Sequence, residues 1–253
     1  MIQENNPENL RFVGIIPARY QSTRFPGKPL ADIMGKPMFW HVYHRAGRCR
    51  LMQKIYLATD DARIYRAAQD LEVPVLMTSD KHQSGTDRIK EAALTLGLSR
   101  EDVVVNIQGD EPALEPKMLD QLLEPFVSAY EINVTTLARK IDPSLSSDPN
   151  LVKVVVSQTG RALYFSRSKI PFSHSAQDPV LGHIGLYAYR MDCLEKFQKL
   201  GMSALEKAEK LEQLRLLEAD IPIHVVLTQY CSRGVDVPED ISKVTRIIQE
   251  QQV

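Results

Sequence analysis

Residues 12–17 (FVGIIP) form an unbroken apolar run that stops abruptly at Ala18-Arg19-Tyr20-Gln21-Ser22-Thr23-Arg24. A run without polar alternation must be buried on both faces, the condition of a strand inside a parallel sheet covered by helices. Runs of the same size recur at 54–59, 74–77 and 103–107, with helical spacing of apolar residues at 38–48, 61–71 and 87–96 between them. Strand and helix in alternation predict an α/β fold with a mainly parallel sheet flanked by helices. In such sheets ligands bind beyond the carboxyl ends of the strands, so function is expected in the polar segments that follow the runs.

After a helical stretch at 118–130 the rhythm changes. Residues 133–138, 152–157, 162–165 and 183–189 read as strands with fewer helices between them, so the second half either extends the sheet antiparallel or forms a small lobe. Residues 171–182 have no periodicity and read as a mobile surface loop, a candidate lid. Residues 203–219 predict one continuous helix, with Ser203 as N-cap, a Glu206/Lys210 pair at i,i+4 and apolar residues at 205, 208, 211, 214 and 217. No repeat, charge block or linker divides residues 1–253, which are expected to form a single domain with a polar tail at 1–11.

Lys and Arg number 31 against 32 Asp and Glu, so no overall field would hold the chain on nucleic acid or an anionic membrane, and any anion site must be local. No apolar stretch approaches the roughly 20 residues of a membrane span, and residues 1–11 lack the pattern of an export signal. Cys49, Cys193 and Cys231 are odd in number and far apart, which suits reduced thiols better than a disulfide framework or a zinc site. A cytoplasmic protein is expected.

The local anion site is expected in segment 18–31, which holds Arg19, Arg24 and Lys28 and no carboxylate, interleaved with Ser22, Thr23, Pro26 and Gly27. Guanidinium forks, hydroxyls and backbone N–H groups beside glycine are what a polyphosphate needs, because its charge must be met at several oxygens at once. The plain alternative is a solvated loop. Neither the P-loop spacing nor G-x-G-x-x-G occurs. Beyond the run 103–107, Asp110 in Gln108-Gly109-Asp110-Glu111-Pro112 stands where a carboxylate can hold Mg²⁺ against a triphosphate, or can cap the next turn. Asp236, just ahead of Pro238 and a last helix, reads alone as a helix N-cap; beside Asp110 it completes a pair of carboxylates suited to Mg²⁺. The stretch from His82 to Arg88 is a polar turn before a helix, suited to a base or ribose or simply to capping. Arg167, His183 and Tyr187 lie near strand ends, where an acidic, hydroxyl-rich substrate can be held.

Taken in order from about Val13, these blocks closely resemble the 3-deoxy-manno-octulosonate (Kdo) cytidylyltransferases. The resemblance is carried by IIPARYQSTRFPGKPL from Ile15, ATDD from Ala58, HQSGTDRI from His82, VVNIQGDEP from Val104, NLVKVV from Asn150, ALYFSRSKIP from Ala162, HIGLYAYR from His183, KLEQLRLLE from Lys210 and GVDVPEDI from Gly234. It implies a Rossmann-like nucleotidyltransferase fold and a homodimer, with residues 133–190 contributing the sugar site and dimer contacts. It also implies transfer of CMP from CTP to Kdo for lipopolysaccharide assembly, with release of pyrophosphate. By the same resemblance Ala18, Arg19, Ser22, Arg24, Lys28, Ser84, Gly85 and Thr86 would bind CTP. Asp110 and Asp236 would ligate Mg²⁺ and, with Arg19 and Lys28, carry the catalysis. Gln108, Arg167, His183, Tyr187, Glu212 and Gln213 would hold the sugar acid, with Arg167 on its carboxylate.

The chain departs from the family pattern in three places. Val180-Leu181-Gly182 precedes His183 where many relatives carry a basic residue, Val237 replaces a common Thr, and Trp40 stands at a usually aliphatic position and reads as packing. A cytidylyltransferase for 8-amino-3,8-dideoxy-manno-octulosonate is the nearest alternative. A glycosyltransferase is disfavoured because Asp-x-Asp is absent, and a non-catalytic nucleotide-binding module would leave the two carboxylate blocks unexplained.

Overall fold

The first apolar run becomes the centre of the sheet. In the computed structural model, which describes residues 10–21, 24–82, 84–172, 174–175 and 178–251, the first half contains β1 (Phe12–Ala18), β2 (Asp32–Ile33), β3 (Lys36–Pro37), α1 (Met38–Ala46), β4 (Lys54–Thr59), α2 (Ala62–Asp70), β5 (Val75–Met77), α3 (Gly85–Thr95), β6 (Val103–Asn106) and α4 (Pro116–Ser128). The second half contains β7 (Val134–Ile141), β8 (Lys153–Val156), β9 (Ala162–Ser166), β10 (Val180–Arg190), α5 (Met191–Lys199), α6 (Ala204–Glu209), α7 (Leu214–Glu218), β11 (His224–Leu227) and α8 (Asp240–Glu250).

The strand order is β11-β7-β10-β6-β1-β4-β5, with β8 paired to β10 and β9 beyond it. Strands β5, β4, β1 and β6 are parallel, whereas β10 runs antiparallel between β6 and β7. The second half therefore extends the sheet. Alternate residues of β1 feed two different layers. Phe12, Ile16 and Ala18 pack with Phe39, Val42, Leu119 and Leu122, and Val13 and Ile15 pack with Ile89, Ala92 and Ala93 of α3. Burying an Ile or Val contributes about 1.5–3 kcal/mol, which is why a run apolar at every position settles at the centre. A third cluster joins Val235, Val244 and Ile248 to Ile33, Met38 and Ala113, and so returns the segment before α8 to the region that follows β1. Trp40 is half-buried at the edge of the first layer with its ring against His44, which is the packing expected of it. No helix among the described residues is long and apolar enough to cross a membrane.

Two expectations are corrected. The predicted helix over 203–219 is two short helices, because Lys210 adopts a left-handed φ of 56° and ends α6. The chain then doubles back, so that Arg215 Nε donates to Glu206 Oε2 at 2.8 Å. On an unbroken helix those residues would lie about 13.5 Å apart along the axis and on opposite faces. The turn buries Leu211, Leu214 and Leu216 and brings Glu212 to Thr86. The predicted loop over 171–182 ends earlier, since Val180, Leu181 and Gly182 belong to β10 and pair with Ile141, Lys140 and Arg139.

Candidate active site

A cleft opens at the carboxyl ends of β1 and β6, where the strand order reverses: β4 and β5 extend to one side of β1 and β6 lies on the other. Loops leaving two such strands diverge and leave a crevice. This one has a volume of about 470 Å³ and is walled by Ala18, Arg19, Gln21, Arg24 and Lys28, by Ser84, Gly85 and Arg88 at the start of α3, by Gln108, Gly109 and Asp110 after β6, and by Asp236 before α8. A larger hollow of about 850 Å³, lined by Arg45, Arg48, Glu115, Asp120 and neighbours, mixes both charge signs and contains none of the expected site residues.

Two glycines shape the crevice. Gly27 adopts φ 72° and its N–H donates to the Tyr20 carbonyl at 2.8 Å, while the Tyr20 ring occupies the space around a would-be Cβ. That closure starts the short 3-10 turn Lys28–Leu30 and aims Lys28 inward. Gly109 lies so close to the end of β1 that a Cβ would stand 2.6 Å from the Pro17 carbonyl oxygen.

Lys28 Nζ donates to Asp110 Oδ2 at 2.7 Å and to the Val235 carbonyl at 2.9 Å. The Val235 N–H donates to the Asp110 carbonyl at 2.8 Å, and Arg24 Nη2 pairs with Asp236 Oδ1 at 2.9 Å. The basic loop and both aspartates thus converge from three remote parts of the chain. The capping alternative for Asp236 does not hold: Glu239 occupies the N-cap position of α8, and Asp240 accepts the N–H groups of Asp236 and Val237. Ser84 does cap α3, accepting the Asp87 N–H at 3.1 Å, and lines the cleft as well. Ser22 lies outside the described residues.

The residues expected to hold a sugar sit deeper. Gln108 Nε2 donates to the Gly185 carbonyl at 2.9 Å, at the bulge of β10 between Ile184 and Tyr187. His183 Nε2 lies 2.9 Å from Thr136 Oγ1, and burial pushes its pKa down to about 3, so the ring is neutral. The buried hydroxyl of Tyr187 has no partner among the described residues, and burial pushes its pKa up. Thr86 Oγ1 donates to Glu212 Oε2 at 2.7 Å, which partly offsets the upward push of burial on that carboxyl. Gln213 is buried. Of these sugar-site candidates only Gln108 lines the cleft; His183, Tyr187, Glu212, Gln213 and Arg167 do not, and Arg167 Nε donates to the Glu209 carbonyl at 2.8 Å and its Nη1 to the Pro149 carbonyl at 3.0 Å.

Sequence reasoning passed over two charged residues. Arg88, at the end of the polar turn, is buried in the cleft wall. Lys153, in the NLVKVV block, is fully buried and donates from Nζ to the carbonyls of Asp148 and Arg167. A charge inside a strand-like apolar run, as at Lys153, is the one signal that pointed there.

A cytidylyltransferase family profile matches residues 13–223. A 3-deoxy-manno-octulosonate cytidylyltransferase of Oleidesulfovibrio alaskensis is 56% identical over 241 residues, covering 94% of this chain and 97% of that protein. The chain belongs to the cytidylyltransferase family. An 8-amino-3,8-dideoxy-manno-octulosonate cytidylyltransferase of Shewanella pealeana is 48% identical over 230 residues, covering 90% of this chain and 94% of its own length. Among solved structures, a CMP:2-keto-3-deoxy-manno-octonic acid synthetase complexed with CTP superimposes with a TM-score of 0.90 at 41% identity, covering 95% of this chain and 99% of that one. A 4-diphosphocytidyl-2C-methyl-D-erythritol synthase at 13% identity and a TM-score of 0.65 shares the fold alone.

Proposed function

We propose that the chain transfers CMP from CTP to Kdo, forming CMP-Kdo and pyrophosphate for lipopolysaccharide assembly. The observation that carries the reading is the convergence of Arg24, Lys28, Asp110 and Asp236 around a cleft at the switch point of the sheet, in a chain 56% identical to a 3-deoxy-manno-octulosonate cytidylyltransferase.

The donor set suits Mg²⁺. Asp110 and Asp236 are hard oxygen ligands, and one or two carboxylates are enough where phosphates and water complete the shell. When bound, the metal would reduce repulsion between the two anionic substrates and polarise the α-phosphoryl group. Lys28, Arg19 and Arg24 would meet the charge of the triphosphate and of the departing pyrophosphate. In this structure Lys28 and Arg24 hold the two carboxylates, and on loading they would turn to phosphate oxygens. Ser84, Gly85, Thr86 and Ala18 would contact the cytidine. Gln108, His183, Tyr187, Glu212 and Gln213 would hold the sugar hydroxyls, with Arg167 toward its carboxylate. The anomeric hydroxyl attacks the α-phosphorus in line; the new O–P bond forms as the α–β anhydride breaks, pyrophosphate leaves and the hydroxyl proton passes to solvent. Orientation and electrostatics supply the catalysis, with no dedicated side-chain base.

The same reading makes the protein a cytoplasmic homodimer. It is supported by the resemblance of the motifs and by exposed Leu163 and Phe172 in the second half, and light scattering tests the dimer. The deciding experiment is pyrophosphate release with CTP and Mg²⁺ against Kdo, its 8-amino analogue and a sialic acid. Turnover confined to Kdo is expected; a preference for the 8-amino sugar would move the chain to the other substrate, and no turnover with any of the three would refute the reading.

A further inference from the structure

Arg88 is 2% exposed and still lines the nucleotide cleft, on the same wall as Ser84 and Gly85. Its guanidinium is held from the ends of two neighbouring strands. Nη1 donates to Thr78 Oγ1 at 2.5 Å and to the Ser79 carbonyl at 3.4 Å, and Nη2 donates to Asp60 Oδ2 at 2.6 Å. Asp60 belongs to the ATDD block, for which the proposed mechanism has no use. These bonds take three of the fork's five N–H groups, leaving the Nε–H and one Nη2 hydrogen without an acceptor among the described residues. The remaining edge is planar, permanently charged and able only to donate.

We propose that Arg88 is a specificity-determining residue that selects the base, and the proposal rests on the CTP reading above. Cytosine presents two adjacent acceptors, O2 and N3, to a donor-only fork. Uracil presents O2 beside an N3–H, so one buried donor would face another and both would go unpaired. Sites that reject a ligand by stranding buried polar groups discriminate far more strongly than sites that merely fit its shape. The bonds to Asp60 and Thr78 fix the plane of the fork, so the choice is made without rearrangement.

The test measures pyrophosphate release by the full chain with Kdo and CTP, UTP or 3-deaza-CTP, in which C–H replaces N3. It is run on the wild type, Arg88→Lys and Arg88→Gln. For the wild type, kcat/KM is expected to fall at least about 100-fold with UTP and about 10-fold with 3-deaza-CTP. Arg88→Gln, with one donor and one acceptor, should lower the CTP-to-UTP ratio more than about 10-fold while leaving the KM for Kdo unchanged. Equal losses with CTP and UTP would mark Arg88 as merely structural and overturn the proposal, as would wild-type use of 3-deaza-CTP on a par with CTP. Should the variants fold poorly, the wild-type comparison of CTP with 3-deaza-CTP decides alone. Failure of the CTP reading has a separate signature, no pyrophosphate from the wild type with any nucleotide, and it would remove this inference too.

Discussion

At the parallel part of the sheet, Arg24 and Asp236 meet across loops with side chains 68% and 56% exposed, and neither side chain has another bond among the described residues. In the antiparallel half, Tyr187, Tyr189 and Gln213 are buried, His183 is bonded to Thr136, and Arg167 is bound to three main-chain carbonyls. An exposed ion pair contributes roughly 0–1 kcal/mol, so an arriving polyanion can exchange it at little cost. A buried polar network is stiff, and its geometry is set before any ligand arrives. The contrast suits two substrates, one recognised mainly by charge and the other by the directions of its hydroxyls.

The comparison is broken most directly through the aspartates. Asp110→Ala and Asp236→Ala should each lower the rate of pyrophosphate release by at least about 100-fold. Asp236→Ala should leave the melting temperature nearly unchanged, because its partner Arg24 is exposed, whereas Asp110→Ala should lower it as well, because it strands the largely buried Lys28. Near wild-type turnover by either variant would end its assigned role.

In the buried half, function and stability should fall together. Arg167→Ala is expected to raise the KM for Kdo about 10-fold while barely moving that for CTP, and also to lower thermal stability, since the carbonyls of Glu209 and Pro149 lose their donor. An unchanged KM for Kdo would leave Arg167 with a structural role only.

Glu206→Ala strands the largely buried Arg215 charge and undoes the turn between α6 and α7, so a loss of about 3 kcal/mol in denaturant unfolding is expected. A loss below about 1 kcal/mol would mean that burial of Leu211 and Leu214, not the ion pair, holds the turn.

The smallest effect concerns pH. The neutral His183 ring is held at a pKa of about 3, below the ordinary 6.5, by burial. Between those values the unfolded chain takes up a proton that the native state refuses. The stability His183 contributes is therefore complete above pH 6.5 and drains away as pH falls toward 3. His183→Asn should melt with a shallower dependence on pH between 6.5 and 5 than the wild type; parallel curves would show that the ring is not neutral when folded.

The parallel half was the more legible in sequence, because a strand buried on both faces leaves an unbroken apolar run and its loop follows at once, as with 12–17 and Arg19 to Lys28. The antiparallel half was harder to read. Val180 to Gly182 look like loop until Arg139 to Ile141 are laid beside them, and 203–219 keeps helical spacing although Lys210 turns left-handed. In both places a partner remote in sequence overrides the local pattern. Arg88 escaped notice for the same reason, since its role as cleft wall depends on Asp60 and Thr78 at the ends of other strands.

Composition and spacing by themselves determined that this protein is an α/β sheet with a basic loop after its first strand and carboxylates after later ones. Which charges meet was decided only by the tertiary structure. Lys28 reaches Asp110 and Val235, Arg24 reaches Asp236, and Thr86 reaches Glu212 because the sheet order sets β6 against β1 and α8 packs back on Ile33 and Met38. Local spacing records where each strand and helix ends, whereas contacts between remote loops follow from the order in which strands pair, which no short window of residues contains.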